Sequence, residues 1–161
     1  MEENKRVVLP CIAVCEGDIH PRVITCGDPA RAEKIANKLE GAKCLAKNRE
    51  YHTYVGSWKG VPVTVTSHGV GEGGAVIAFE SLYRAGAKVI IRVGTCGGMQ
   101  KEVPAGSIVI AKAACREDGV TEKMVPLSYP AIADPDVFKA LEKSARDLRI
   151  EARSGVVLTQ A

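Results

Sequence analysis

The sequence predicts one α/β domain of three layers, in which helices cover both faces of a mixed central sheet. Apolar, β-branched segments alternate along the chain with segments of helical period, and this order builds helix-covered sheets. Several strand segments are almost continuously apolar, as expected of strands that are covered on both faces. No linker rich in Pro, Gly or Ser divides residues 1–161, so we expect a single domain.

Three helices are predicted from their start signals and their apolar spacing. Asp28 is a good N-cap and Pro29 suits the first helical position, so the first helix begins there. A second helix is expected over about Gly74–Arg84. A third begins at Asp134-Pro135 and carries an apolar stripe at helical spacing.

Strands are predicted where apolar, β-branched runs end at turn residues. Two runs, Tyr51–Trp58 and Val61–Ser67, flank Lys59-Gly60 and predict a hairpin. The last run ends with the chain, and because a compact domain rarely finishes on a central strand, we expect the domain to be truncated at its C-terminus. The predicted strands outside the hairpin are Val7–Val14, Val23–Cys26, Lys88–Val93, Ser107–Lys112 and Gly155–Thr159.

The composition argues against several classes of function. The net charge is only +3, no five like charges occur in a row, and aromatic residues make up 4% of the chain. These values do not favour a basic arm for nucleic acid or stacking on bases. The early apolar run Val7–Cys15 contains Pro10 and is too short to cross a bilayer. We therefore expect a cytoplasmic protein that binds neither nucleic acid nor membrane.

The cysteines predict reduced thiols and no metal site. No two of them form a CxxC pair, and no histidine lies at zinc-finger spacing from two of them. Most lie in apolar runs, where a thiol packs as a small buried group, and cytosolic thiols stay reduced. The six are Cys11, Cys15, Cys26, Cys44, Cys96 and Cys115.

Three apolar strands each run into a glycine-rich turn. In open α/β sheets, ligands bind beyond the carboxyl ends of the strands. Glycine lets the backbone approach a ligand closely, and its N–H groups can form an anion-binding nest. The sequence therefore predicts an anion site at this edge of the sheet. The three turns are Thr25–Arg31, His68–Gly74 and Arg92–Gly98.

Two arginines in these turns favour phosphate as the anion. Arg31 lies in the first turn of the first helix, where free N–H groups and partial positive charge attract phosphate. Arg92 ends a strand that we expect to be buried, where an unpartnered charge is costly. A structural ion pair is the alternative for Arg92. A hydroxyl donor from Thr95, three residues later, favours the phosphate site.

The second turn, Gly69–Gly74, matches the GxGxxG pattern of dinucleotide sites. That pattern normally lies in the first βα unit, whereas at least three predicted strands precede it here. The following strand ends on Arg92, where a ribose-binding acid is expected, and an NADP-type arginine is the remaining alternative. His68, just before the turn, is the histidine best placed to face a ligand, and a hydrogen-bonded structural histidine is equally expected.

Five segments in order resemble motifs of the trimeric and hexameric nucleoside phosphorylases, the family of uridine phosphorylase and bacterial-type purine nucleoside phosphorylase. Together they cover about residues 20 to 160. They are the GDPxR-like Gly27–Arg31, the NRE-like Asn48–Tyr51, the HGxG-like Ser67–Gly71, the RxG[ST]xG-like Ile91–Gly97 and the FPAxAD-like Pro130–Asp134.

The resemblance implies a nucleoside phosphorylase-like fold and a pentosyltransferase activity. The family cleaves the N-glycosidic bond of a nucleoside with phosphate, giving a free base and ribose 1-phosphate. It implies homodimer units that assemble into a hexamer, with phosphate as co-substrate and no metal or organic cofactor. By resemblance, phosphate is held by Gly27, Arg31, Arg92 and Thr95, with Arg49 donated to the neighbouring subunit, and the nucleoside is lined by Val70, Cys96 and Gly97.

Two departures from the family pattern bear on catalysis. The family often has a histidine near position 11, where this chain has Cys11. The family's Met-Glu pair for the ribose hydroxyls, and the group that assists base departure, fall after residue 161. The resemblance therefore assigns no catalytic residue within this chain and predicts phosphate binding with little or no turnover by these 161 residues alone.

The substrate and the reaction have open alternatives. Thr95 and the segment Pro126–Pro130 resemble uridine phosphorylases, whereas Cys96 resembles purine enzymes. A related nucleosidase would use water in place of phosphate, but it has no need for Arg31 and Arg92 to converge on an anion. A catalytically incomplete fragment that only binds phosphate or nucleoside is the other alternative.

Overall fold

The computed structural model describes residues 8–160, which form two compact units. The first unit ends at Thr95 and the second begins at Cys96. The single domain expected from the sequence stays a prediction.

The first unit has a mixed five-stranded sheet, as the sequence predicts. Its spatial order is β4-β5-β6-β3-β7, with β3 parallel to both β6 and β7 and with β4, β5 and β6 antiparallel. The strands are β3 (Arg22–Cys26), β4 (Glu40–Asn48), β5 (Tyr51–Trp58), β6 (Val61–Ser67) and β7 (Val89–Arg92). Because β3, β6 and β7 run in one direction, their carboxyl ends and the three glycine turns lie at one edge of the sheet.

Two helices cover opposite faces of this sheet. Helix α1 (Pro29–Ala36) packs with Cys26, Tyr54 and Val65, whereas α2 (Glu72–Ala85) packs with Val23 and Tyr51 in a separate cluster. Side chains alternate along each strand, so the two clusters occupy the two faces. This confirms the three-layer prediction for the first unit.

The prediction of a strand over Val7–Val14 is wrong for the described part of that range, and Val7 lies outside the described residues. Two short antiparallel strands replace it, β1 (Val8–Leu9) and β2 (Val14–Cys15). The chain reverses after Leu9, where the Ala13 N–H donates to the Leu9 carbonyl at 2.8 Å. Pro10 has no N–H to donate to a ladder, which disfavours a continuous strand there.

Strand β4 is absent from the sequence prediction. Its segment Glu40–Asn48 is rich in Ala and Lys, which are poor strand formers, and nearly all of its residues are exposed. Pairing with β5 stabilises β4 at the edge of the sheet. Because most of its side chains are exposed, its sequence has no alternation of apolar and polar residues that would predict a strand.

The second unit pairs two parallel strands, β8 (Ile108–Glu117) and β9 (Ala152–Gln160). Helix α3 (Pro135–Asp147) connects them and packs against β8. Its start is as predicted, because Asp134 caps it by accepting from the N–H groups of Asp136 and Val137, both at 3.0 Å. Both strands are longer than predicted.

Nowhere in residues 8–160 is there a helix long and apolar enough to span a membrane.

Candidate active site

The first glycine turn is fixed by the helix that it begins. Asp28 is the N-cap of α1 and accepts a hydrogen bond from the Ala30 N–H at 2.8 Å, and Pro29 occupies the first turn, as predicted. Arg31 follows in that turn and is half-buried. The backbone therefore sets the position of Arg31 relative to the free N–H groups of the helix terminus.

The first two turns are locked together by their backbones. The Gly69 N–H donates to the Gly27 carbonyl at 2.9 Å, and the His68 N–H donates to the Cys26 carbonyl at the same distance. A Cβ on Gly27 would lie 2.9 Å from the Gly69 carbonyl oxygen, which is closer than side chains approach backbone. Only glycine at position 27 allows these turns to approach so closely.

The second turn owes its glycines to the same crowding. A Cβ on Gly74 would lie 2.5 Å from the His68 carbonyl oxygen, and one on Gly69 would collide with the side chain of Glu50. Gly69 and Gly71 also have positive φ angles of 76° and 86°. Backbone packing at the start of α2 therefore accounts for these glycines without a dinucleotide.

The third turn places Arg92 beside the other two. Arg92 lies directly opposite Thr25 in the β3–β7 ladder, and the Val93 N–H donates to the Thr25 carbonyl at 2.7 Å. The expectation that Arg92 is buried is wrong: its residue is exposed, because β7 is the last strand of the sheet within the first unit. The charge of Arg92 therefore does not carry the desolvation cost that a buried charge would have.

The partner of Arg92 is a histidine and not a carboxylate. The guanidinium Nε donates to Nε2 of His68 at 3.0 Å. His68 is almost fully buried, at 1% exposure, and its ring makes an edge contact with Phe79 of α2. Burial, and then the charge of Arg92, lower the pKa of His68, so the ring accepts as a neutral imidazole.

Both guanidinium groups act on a single buried thiol. Burial raises the pKa of Cys26, while the positive charges of Arg31 and Arg92 oppose that increase. Cys26 is fully buried at the end of β3, where the first glycine turn begins. No ion pair to a carboxylate is found for Arg31 or Arg92 among residues 8–160. The charge of each group thus remains available to an anion.

The remaining predicted residues of the first unit are all accessible. Arg49 lies at the turn between β4 and β5, is exposed and has a positive φ of 52°. Val70 is 99% exposed in the second turn, and Thr95 is exposed three residues after Arg92. A single exposed valine is ordinary on a protein surface, so this exposure leaves Val70 accessible to a ligand without identifying one.

Cys96 and Gly97 belong to the second unit, where both are exposed. That unit also has a shallow groove of about 380 Å³, lined in part by Cys115, Arg116 and Tyr129. Arg116 donates to the carbonyls of Pro126 and Tyr129, so its guanidinium fastens the loop beside the groove. Among the residues that the structure describes, Arg116 is the one lysine or arginine that lines this groove, and its hydrogen bonds to the loop leave it less available to an anion than Arg31 or Arg92.

The thiols are free, but most are not buried. All six cysteines are free thiols, of which Cys44, Cys96 and Cys115 are exposed and only Cys26 is fully buried. The expectation that most thiols pack in the core is therefore wrong, because Cys44 and Cys115 lie on strands with exposed faces. Across residues 8–160, no three His, Cys, Asp or Glu side chains converge as a metal site would require.

Comparison with known proteins identifies the family of the chain. Residues 21–161 match the family model of the phosphorylase superfamily. The chain belongs to this superfamily. It is similar to the uridine phosphorylase of Thermococcus kodakarensis, with 41% identity over 90% of this chain and 52% of the relative. It is also similar to the purine nucleoside phosphorylase of Plasmodium vivax, with 38% identity over 92% of this chain and 61% of the relative.

Solved structures of the superfamily have the same fold. Purine nucleoside phosphorylase from Toxoplasma gondii, in complex with immucillin-H, superimposes with a TM-score of 0.92 and 43% identity, over 95% of this chain and 62% of that one. Uridine phosphorylase from Vibrio fischeri superimposes with a TM-score of 0.93 and 32% identity, over 98% and 66%. The chain thus spans about half to two thirds of the length of these phosphorylases.

Sequence reasoning missed the hydrogen bond between His68 and Arg92. From the sequence, His68 was expected either to face a ligand or to be structural, and Arg92 was expected either to bind phosphate or to form an ion pair. The two residues are 24 positions apart, and only the order of the parallel strands brings them together. A usable signal was that each residue lies at the carboxyl end of a strand, where a glycine turn begins.

Proposed function

We propose that the protein is a nucleoside phosphorylase, which uses phosphate to cleave a purine nucleoside or uridine into a free base and ribose 1-phosphate. The observation that carries this proposal is the pair Arg31 and Arg92, which lie at one sheet edge without carboxylate partners among the described residues. The names of the relatives, which include uridine and purine nucleoside phosphorylases, favour this reaction over hydrolysis.

In this proposal, phosphate lies over the first and third turns. The helix terminus at Gly27 supplies backbone N–H groups, Arg31 and Arg92 supply charged forks, and Thr95 supplies a hydroxyl. The half-buried position of Arg31 and the hydrogen bond that holds Arg92 limit the freedom of both side chains. Little conformational entropy is then lost when the anion binds.

The reaction follows from where charge develops. As the bond between C1′ and the base breaks, its electron pair leaves with the base and the sugar becomes oxocarbenium-like. The phosphate dianion stabilises that cation and forms the new bond to C1′. The two arginines contribute positioning and electrostatic stabilisation, which are large terms in such transfers. Phosphate is a co-substrate here, and the scheme uses no metal or organic cofactor.

We further propose that the site is shared between subunits of a homodimer, in units that assemble into a hexamer. The exposed tip of the β4–β5 hairpin, with Arg49 at its turn, is suited to reach a neighbouring phosphate. The nucleoside would contact Val70, Cys96 and Gly97, all of which are exposed. Six free thiols fit a reducing compartment, and we propose that the protein acts in the cytoplasm.

The proposal is tested by the dependence of base release on phosphate. Uridine, inosine and guanosine are each incubated with the purified protein, with and without phosphate, and free base and ribose 1-phosphate are quantified. Because the resemblance predicts little or no turnover by these 161 residues alone, we expect any release to be slow and to occur only with phosphate, and the base that is released fastest identifies the substrate. Release that is independent of phosphate would indicate a nucleosidase and contradict the proposal.

A second measurement addresses a protein that binds without turnover. Calorimetric titration of phosphate into the purified chain should give saturable binding that sulfate competes away. Binding without base release would favour the phosphate-binding alternative. Absence of any anion binding would remove the physical basis for both.

A further inference from the structure

His68 is a buried titratable side chain at the site that the phosphorolysis scheme does not use. It is 1% exposed, follows β6 and lies between α2 and the end of β7. Its Nε2 accepts from Nε of Arg92 at 3.0 Å, while its Nδ1 has no hydrogen-bond partner within the described structure. Burying an imidazole whose Nδ1 has no hydrogen-bond partner costs stability. The contact between Nε2 and Arg92 therefore calls for a functional explanation.

The chemistry of the donor fixes the protonation of the ring. A guanidinium N–H can only donate, so Nε2 must present a lone pair. A neutral imidazole that accepts at Nε2 then carries its proton on Nδ1. The ring is thus held as the Nδ1–H tautomer.

The same contact decides which edge of Arg92 remains for a ligand. A guanidinium can bind an oxyanion side-on, through Nε and one terminal nitrogen, or end-on, through both terminal nitrogens. His68 occupies Nε, so only the end-on edge is left. Gly94 adds to this selection, because a Cβ at position 94 would collide with Nη1 of Arg92 and crowd its Cζ.

We propose that His68 is a positioning residue, which holds Arg92 so that its two terminal nitrogens form an end-on fork for the phosphate. This inference rests on the proposed phosphate site. His68 acts through Arg92 and does not itself contact phosphate. Gly94 supports the same pose by leaving room for the guanidinium.

Two substitutions of similar polarity separate positioning from packing. In His68→Gln, the side-chain oxygen reaches the place of Nε2 and can accept from Arg92. In His68→Asn, the shorter side chain places its oxygen near the position of Nδ1, away from Arg92. Because removing one hydrogen bond to a charged group costs about ten-fold in affinity, we expect the dissociation constant for inorganic phosphate to rise about ten-fold in His68→Asn. We expect it to stay within about two-fold of wild type in His68→Gln.

Nuclear magnetic resonance of the wild-type chain gives a readout that does not depend on the anion. Long-range ¹⁵N–¹H spectra of His68 should show a protonated Nδ1 and a lone pair on Nε2, and the Arg92 Nε–H should exchange slowly with solvent. In His68→Asn that exchange should become fast, while His68→Gln should preserve slow exchange. Should either variant fail to fold, the wild-type spectra still test the contact.

Two results would overturn the inference. One is a proton on Nε2 of His68 in the wild-type chain, since Arg92 could then not donate to it. The other is equal phosphate affinity in His68→Asn and His68→Gln. Absence of phosphate binding by wild type would overturn the proposed function, and the ring tautomer and Arg92 exchange would still decide whether His68 holds Arg92.

Discussion

The two arginines at the candidate site are held in different ways. Arg31 lies in the first turn of α1, where the helix backbone and the Asp28 cap determine its position. Arg92 ends β7 and is followed by residues without regular structure, so a side-chain acceptor, His68, orients it. A helix terminus thus supplies partial positive charge and also fixes the position of Arg31, whereas a cation at a strand end needs a separate residue to hold it.

The largest effect should come from removing either cation. Arg92→Ala and Arg31→Ala each lose charged hydrogen bonds worth about 1.5–3 kcal/mol, so the dissociation constant for phosphate should rise about ten- to a hundred-fold by calorimetry. Arg22→Ala is the matched control, because Arg22 is exposed at the opposite end of β3. Equal losses in all three variants would mean that net charge alone attracts the anion.

A smaller effect is expected when Arg92 is displaced but kept. Gly94→Ala puts a Cβ where the guanidinium lies, and because the flexible end of Arg92 can move away, the fold should be retained. We expect phosphate affinity to fall by up to about ten-fold, with little change in melting temperature. Gly155→Ala, whose Cβ would meet open space, is the control. Unchanged affinity in Gly94→Ala would show that the pose of Arg92 is unimportant.

Removing the cap of α1 tests the other side of the comparison. Asp28→Ala leaves the Ala30 N–H without its side-chain acceptor and should cost about 1 kcal/mol of stability in denaturant titrations. Phosphate affinity should fall as the first turn loosens. Asp134→Ala removes the equivalent cap of α3 and should lower stability without changing phosphate affinity. Parallel behaviour of the two variants toward phosphate would argue against a site at α1.

The smallest effect is a pH dependence of stability from His68. Burial and the charge of Arg92 lower the pKa of His68 below its ordinary value of about 6.5. Between the folded and unfolded pKa values the unfolded chain binds more protons, so stability falls as the pH drops below about 6.5. Thermal melts of wild type and His68→Gln should diverge over this range, with the variant showing the flatter profile. Coincident profiles would contradict the assignment.

Sequence patterns predicted most of the first unit because they report local preferences. Asp28-Pro29 located the start of α1, and the Lys59-Gly60 turn located the β5–β6 hairpin. Patterns failed where pairing, not local preference, makes the element. Strand β4 has a poor strand composition and is stabilised by β5, and the run after Val8 folds back on itself at Pro10.

The residues of the candidate site were determined by the sequence, because glycine turns after apolar strands and two nearby arginines are visible in it. Their grouping at one edge followed from parallel strands, which a sequence argument can anticipate. The exposure of Arg92 and its hydrogen bond to His68 could be read only from the three-dimensional structure. The physical reason is that strand order brings positions 68 and 92 together across the sheet, and no local preference of either segment encodes that contact.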